Sequence, residues 1–383
     1  MRGLPMGALV DGVRKIAVLR AGALGDFIFA LPAFDALRAA YPRAEIVLLG
    51  KRWMGELLRG RPSPIDRVVA VPLARGVGAP EDATEDAAAL DEFFAAMRSE
   101  RFDLALQLHG GGRYSNPFVA MLGARVTAGL RASNASALDR TMPYVYHQSE
   151  RMRVLEAVAL VGAAPVTIAP TLGVTADDRA EAERVVPADS KPLVLLQPGS
   201  TDARRRWPAE RFAVLADALA EFGACIAING SADEATLVGD VRRAMRHDAV
   251  DLAGKLSLRG LAGLMSRAAL VVSNDTGPLF LAEAVGAATV GIYWLLNLAQ
   301  DGPLFRTRHR YALSTRIACP QCGRAQIDER CPHDPSFVAD VGVDQVLVPA
   351  LELLRMPDAL VRGGDARVFA SDPAVTSARR ASA

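Results

Sequence analysis

Three short stretches of this chain carry side chains whose type and spacing could do chemistry. The first is Asn274-Asp275-Thr276-Gly277-Pro278, which follows the apolar run Leu270 to Ser273 and precedes Leu279 to Val285, a short helix that Gly286 should end. Pro278 suits the first helical position, and Asp275 or Thr276 can cap the amides before it. Such a corner turns a helix N-terminus toward the crevice beyond the strand ends, where oriented N–H groups favour a phosphate. A capped helix with no ligand fits the same residues.

The second stretch is Pro198-Gly199-Ser200-Thr201-Asp202-Ala203-Arg204-Arg205-Arg206-Trp207-Pro208. Its hydroxyls and guanidinium groups suit oxygen-rich anions, because arginine can grip a phosphate through two donors; a solvated basic run is the alternative. The third is Ala21-Gly22-Ala23-Leu24-Gly25-Asp26, after the strand Lys15 to Arg20. Asp26 reads either as a helix cap or as a carboxylate at the mouth of a crevice, placed to take a proton from a hydroxyl. The third glycine of a dinucleotide fingerprint is missing here and no acid closes the second strand, Glu45 to Leu49, which disfavours a nicotinamide enzyme.

A fourth polar group, His109-Gly110-Gly111-Gly112-Arg113-Tyr114-Ser115-Asn116, also comes directly after a strand, Asp103 to Leu108. His109, Arg113 and Asn116 could meet a ligand, or the three glycines could simply make a flexible surface loop.

The elements that must position these groups alternate between strand and helix. In the first half, strands are expected at Lys15 to Arg20, Glu45 to Leu49, Arg67 to Val71, Asp103 to Leu108 and Val126 to Gly129, with helices near 26–41 and 85–98; 76–86 reads as an exposed loop and the region of Arg131 and Arg140 as a basic loop. In the second half, strands are expected at Leu193 to Gln197, Cys225 to Asn229, Val250 to Leu252, Leu270 to Ser273 and Thr289 to Tyr293. This is the pattern of an α/β chain with two parallel sheets, each covered on both faces, and a cleft between two domains is the usual ligand site.

A chain of 383 residues is long enough for two domains. Its formal net charge of +1 gives no general pull toward nucleic acid or anionic lipid, so attraction to an acidic partner must be local. No apolar run reaches the length of a membrane span and no signal peptide is apparent, so a cytoplasmic protein is expected.

In this motif order, KIAVLRAGALGDFIFALPAFDALRAAYP, LLQPGSTDARRRWPAERFAVLA and KLSLRGLAGLMSRAALVVSNDTGPLFLAEAVGAATV resemble the family 9 glycosyltransferases, the group that contains the lipopolysaccharide heptosyltransferases. The resemblance implies a GT-B architecture of two Rossmann-like domains facing a central cleft. It implies an acceptor-side domain, at 1–165, and a nucleotide-sugar domain, at 176–340; the residues themselves read as a linker at 166–175, a closing helix at 341–362 and a mobile tail at 363–383. It further implies inverting transfer with no metal or other cofactor required for catalysis. The first guess at the reaction is heptose moved from ADP-heptose to a lipopolysaccharide-core glycan or glycolipid, with peripheral contact at the cytoplasmic membrane face.

Carried over by position, Asp26 matches the family's general base; Gly25, His109, Arg113 and Asn116 are expected on the acceptor side from their own loops. Ser200, Thr201 and Arg205 match contacts to the donor diphosphate, Glu234 and Leu256 contacts to the nucleoside, and Asp275, Thr276 and Gly277 the donor-binding turn. The chain departs from the family at Phe280, where histidine is common, at Phe29, where a polar residue is frequent, and at Gln107 and His109. Those departures keep two alternatives open: a nucleotide-sugar-binding protein that has lost transfer, and a nucleotide-sugar epimerase of the same architecture.

Four cysteines are present, and three of them cluster late as Cys319-Pro-Gln-Cys322 and Cys331-Pro-His333. Two thiols, a third thiol and an imidazole within fifteen residues are ligand chemistry for structural zinc; free thiols or a labile disulfide fit the same spacing.

Overall fold

The computed structural model describes residues 7–325 and 330–356. The first half holds strands β1 (Lys15–Leu19), β2 (Glu45–Gly50), β3 (Arg67–Ala70), β4 (Ala74–Arg75), β5 (Gly78–Ala79), β6 (Leu104–Gln107), β7 (Val126–Arg131) and β8 (Arg140–Pro143). Between and after them lie helices α1 (Leu24–Ala40), α2 (Arg52–Leu58), α3 (Ala87–Ser99), α4 (Ser115–Ala120) and α5 (Glu150–Ala159). The second half opens on α6 (Ala176–Val185) and holds β9 (Leu193–Gln197), β10 (Cys225–Ile228), β11 (Val250–Asp251), β12 (Leu270–Asn274), β13 (Thr289–Trp294) and β14 (His309–Ser314). Its remaining helices are α7 (Ala209–Glu221), α8 (Ala235–Ala244), α9 (Leu258–Met265), α10 (Gly277–Ala284), α11 (Leu295–Asp301) and α12 (Val343–Arg355).

Six strands form each large sheet, in the orders β3-β2-β1-β6-β7-β8 and β11-β10-β9-β12-β13-β14, and every pairing within them is parallel. Both orders start in the middle, run to one edge, then restart on the other side of the first strand. That reversal leaves a crevice at the carboxyl ends of β1 and β6 in one sheet and of β9 and β12 in the other. The period-two alternation of a strand explains why these sheets are apolar on both faces: Ile16 and Val18 face the layer between the sheets, whereas Ala17 and Leu19 face an outer layer with Phe94 and Phe118. In β9, Leu193 and Leu195 face inward, while Val194 and Leu196 face an outer layer with Trp207 and Phe212.

The inner layer runs without a break from one sheet to the other, because α1 packs on α10 and α5 packs on α1. Close approach at the start of α1 and α10 demands glycine: a methyl group on Gly25 would come within 2.8 Å of the Phe280 ring, and one on Gly277 within 2.8 Å of Leu24 Cβ. Away from the cleft, Arg61 reaches Asp178 at 2.8 Å with both side chains fully buried, and Arg259 meets the other oxygen of Asp178 at 2.9 Å. Two cations around one carboxylate keep this buried tie between the halves hydrogen-bonded.

Several expectations need correction. The region of Arg140, expected as a basic loop, is the edge strand β8, and the 76–86 segment contains the short strand β5, which pairs with β4 just before it. Phe222, just past the end of α7, is exposed and lies under Arg355. The closing helix ends at Arg355 within the described residues; 357–362 and the tail at 363–383 lie outside them. Among the described residues no helix is long and apolar enough to cross a membrane.

Candidate active site

The two crevices face each other and share one cleft of about 730 Å³, within the range of ligand sites. Arg20, Gly25, Asp26, Phe29 and His109 line it from the first half; Ser200, Thr201, Asp202, Arg205, Thr276 and Gly277 line it from the second. The topology therefore brings together most of the residues that the sequence singles out, from loops about 90 to 250 positions apart.

Asp26 sits in the first turn of α1. Its Oδ2 accepts the Ala23 N–H at 2.7 Å, so it does cap the helix, and its Oδ1 lies 3.2 Å from Arg20 Nη2. Arg20 is itself buried, donates through Nε to the Asp26 carbonyl at 2.9 Å, and pairs with Glu150 at 2.8 Å. Glu150 in turn bonds Arg153. One guanidinium thus divides its charge between two carboxylates. Asp26 is held in a fixed direction while 43% of its side chain stays exposed to the cleft. A carboxylate so placed can accept a proton from a hydroxyl brought to it.

His109 stands beside this group with Nε2 3.1 Å from the Gly76 carbonyl; a carbonyl only accepts, so Nε2 carries the hydrogen and Nδ1 is a bare acceptor. Desolvation, with the Arg20 charge adding, pulls its pKa down to about 4, so the imidazole is neutral at physiological pH.

The facing wall is built by two loops tied to each other. Asn274 at the end of β12 donates to the Pro198 carbonyl at 2.7 Å and accepts the Trp207 N–H at 3.0 Å. The three successive arginines have separate tasks. Arg204 pairs with Asp202 and lies over the Trp294 ring, while Arg206 bonds the Ser200 carbonyl. Arg205 reaches the Asp275 carbonyl and carboxylate, each at 3.4 Å, with about a third of its side chain open to the cleft. Burial pushes the Asp275 carboxyl up against the opposing pull of Arg205 and of Asn297, whose amide donates to it. Thr276 is the N-cap of α10 through its extended backbone, and Gly286, at φ +84°, ends that helix. Neither Asp275 nor Thr276 caps through its side chain: Asp275 is fully buried and orients Arg205 instead.

Other expected site residues lie elsewhere. Asn116 is fully buried, donates to the Leu130 and Ser136 carbonyls, and so shapes the first-half loop without facing the cleft. Arg113 lies over Tyr114 and pairs loosely with Glu81, lining a different groove. Glu234 accepts the Ser231 N–H at 2.9 Å and packs against Gly199, at the end of β10 beside the cleft; Leu256 packs at the margin of the inner core. Both are outside the cavity walls proper. In exchange, Glu150, Arg153, Tyr144, Gln300, Asp301 and Arg330 line the cleft. They come from helix ends and loops with no local motif, and only an inter-domain contact map would have found them. Desolvation, with the nearby Asp275 charge, raises the Asp301 carboxyl well above the ordinary range.

Cys319, Cys322, Cys331 and His333 come together in the second half, their four ligand atoms all within 4.8 Å of one another. Cys319 Sγ is 4.0 Å from His333 Nδ1.

Comparison with known proteins points to one family. The model of glycosyltransferase family 9 (heptosyltransferase) matches residues 91–320. The lipooligosaccharide heptosyltransferase 2 of Haemophilus ducreyi is 25% identical over 294 residues, spanning 71% of this chain and 80% of its own length. Among solved structures, a family 9 glycosyl transferase from Veillonella parvula superposes with a TM-score of 0.74 at 19% identity, covering 91% of this chain and 99% of that one. The E. coli ADP-heptose lps heptosyltransferase II does so with a TM-score of 0.70 at 18% identity, covering 89% and 98%. These likenesses bear out the GT-B architecture read from the motifs.

Proposed function

We propose a specific reaction for this chain, which belongs to glycosyltransferase family 9: transfer of a heptosyl group from ADP-heptose to a hydroxyl of a lipopolysaccharide-core acceptor, with inversion at the anomeric carbon. The observation that carries it is the opposition of Asp26 and Arg205 across one cleft.

On the second-half wall, Ser200, Thr201, Arg205 and the first amides of α10 form a cradle for a diphosphate. Breaking the bond from the sugar carbon to that diphosphate builds negative charge on the leaving oxygen, and fixed cations and amides there act most strongly in the transition state. Glu234 and Leu256, beyond the Gly199 turn, are assigned to the nucleoside end. On the first-half wall, Asp26 removes the proton from the acceptor hydroxyl as its oxygen attacks the anomeric carbon. Attack from the wall opposite the departing diphosphate is what inversion requires. With Arg205 and the helix end balancing the leaving charge, the chemical step needs no metal ion. Gly25 and His109 border the acceptor, His109 as a neutral hydrogen-bonding group.

A lipid-linked acceptor would bring the enzyme to the cytoplasmic face of the membrane as a peripheral visitor. The Cys319, Cys322, Cys331 and His333 set is assigned to a structural zinc ion whose ligands do not themselves line the cleft.

The test is release of ADP from ADP-heptose with and without a heptose-deficient core acceptor. The proposal requires release that depends on acceptor. Turnover of the donor to an isomer with no acceptor present would replace transfer with epimerisation.

A further inference from the structure

Arg330 immediately precedes Cys331, yet it lines the same cavity as Ser200, Thr201 and Arg205. Its guanidinium lies 2.5 Å from Asp334 and 3.9 Å from Asp202, with 54% of the side chain exposed. Exposed pairs of this kind are weak, so the group can turn to a stronger anion at little cost. Just past His333 the chain is fastened to the diphosphate loop. The Phe337 N–H donates to the Arg204 carbonyl at 2.7 Å, and Ser336 Oγ donates to the Arg206 carbonyl at 2.6 Å. Phe337 is fully buried, its ring 4.5 Å from that of Trp294, on which Arg204 also lies. Residues 330–337 therefore form a strap across the loop that carries Arg205. One end is pinned by this packing, and the other depends on the cysteine cluster.

The cluster fits a thiophilic ion. Tetrahedral zinc, with metal–sulfur bonds of about 2.3 Å and metal–nitrogen bonds of about 2.0 Å, places ligand atoms roughly 3.5 to 3.8 Å apart. Ligand atoms within 4.8 Å of one another need only a small contraction. Cys319 and Cys331 are buried whereas Cys322 is exposed, leaving the ion a way in. We infer that a zinc-class ion bound by Cys319, Cys322, Cys331 and His333 fixes this strap, and that Arg330 on it is a second cationic contact to the donor diphosphate, its position set by the ion. The inference rests on reading the cleft as a nucleotide-sugar site. The ion touches no reacting atom; its effect on the donor passes through Arg330.

The experiment measures zinc content and ADP dissociation by calorimetry on the full chain, with wild type, Arg330→Ala and Cys322→Ser each before and after chelation. Expected is about one zinc per wild-type chain. Chelation or C322S should remove it and weaken ADP roughly tenfold. R330A should keep the zinc, lose about the same factor, and lose no more on chelation. Arg330 is a surface side chain, so its arm stands even if C322S fails to fold. Wild-type ADP affinity in R330A overturns the diphosphate contact. Less than a tenth of an equivalent of zinc after zinc-replete expression, or a further loss in R330A on chelation, overturns the coupling. If wild type binds no ADP, the nucleotide reading itself fails and takes this inference with it.

Discussion

Phe29 of the first half and Phe280 of the second stack across the cleft, ring centroids 4.4 Å apart and planes inclined by 54°. Arg151 lies over Phe29 at 4.4 Å and reaches on to pair with Glu283 of α10 at 2.8 Å. Two of the positions at which the chain was expected to depart from its family thus meet in one contact, which packs α1 against α10. Phe29→Ala should cost about 3 to 5 kcal/mol of stability, as for a buried phenylalanine truncation, and should lower kcat by letting the walls shift. Urea unfolding and steady-state kinetics check this; an unchanged unfolding midpoint would show that the contact holds nothing together.

Arg205 provides a second prediction. Removing a preorganised cation from the leaving-group side typically costs about a hundredfold to a thousandfold in rate. Arg205→Ala should fall in that range in kcat/KM, with ADP binding weakened. Arg205→Lys should recover part of the loss, since a point charge returns without the two-donor grip. An alanine variant with normal turnover would remove Arg205 from the mechanism.

A third concerns pH. Burial, with the charges of neighbouring arginines, pulls His309 down to about 3, and His309 bonds Thr289 at 3.0 Å. The unfolded chain takes up a proton near pH 6.5 and the folded one does not, so the contribution of His309 is complete above pH 6.5 and is lost as pH falls below it. Glu283 works in the opposite sense: burial lifts it to about 7, so its contribution is lost as pH rises toward 7. The total slope mixes both signs, and the difference between variants isolates the histidine. Between pH 6 and 4, His309→Asn should flatten the acid-side loss of unfolding free energy by about 1.4 kcal/mol per pH unit. Parallel curves for the two proteins would contradict that assignment.

The sequence made the corners legible because each is local: a β-branched strand, a turn of Gly, Asp, Thr or Ser, then a helix. Leu193 to Gln197 falls as read, and Asp275-Thr276-Gly277 stands where a strand passes into a helix. The edge strands β8 and β14 were not legible, since a strand buried on one side only, such as Arg140–Pro143 or His309–Ser314, lacks the continuous apolar run of a central one. Side-chain roles set by tertiary contact were misread for the same reason. Asp275 looks like a cap until Arg205 and Asn297 close over it, and Asn116 looks like a ligand group until the 131–136 turn folds onto its amide. Arg20 could be taken for an acceptor-facing cation, whereas it orients Asp26.

The central claim is that one carboxylate on the first wall drives transfer and has no part in gripping the donor. The direct measurement is ADP release from ADP-heptose in the presence of acceptor, alongside ADP affinity, for wild type and Asp26→Asn. The amide keeps the shape and can still accept the Ala23 N–H, but it cannot take a proton. Transfer should drop by about a hundredfold to ten-thousandfold with ADP affinity within about twofold of wild type. Transfer by D26N at near the wild-type rate would contradict the account.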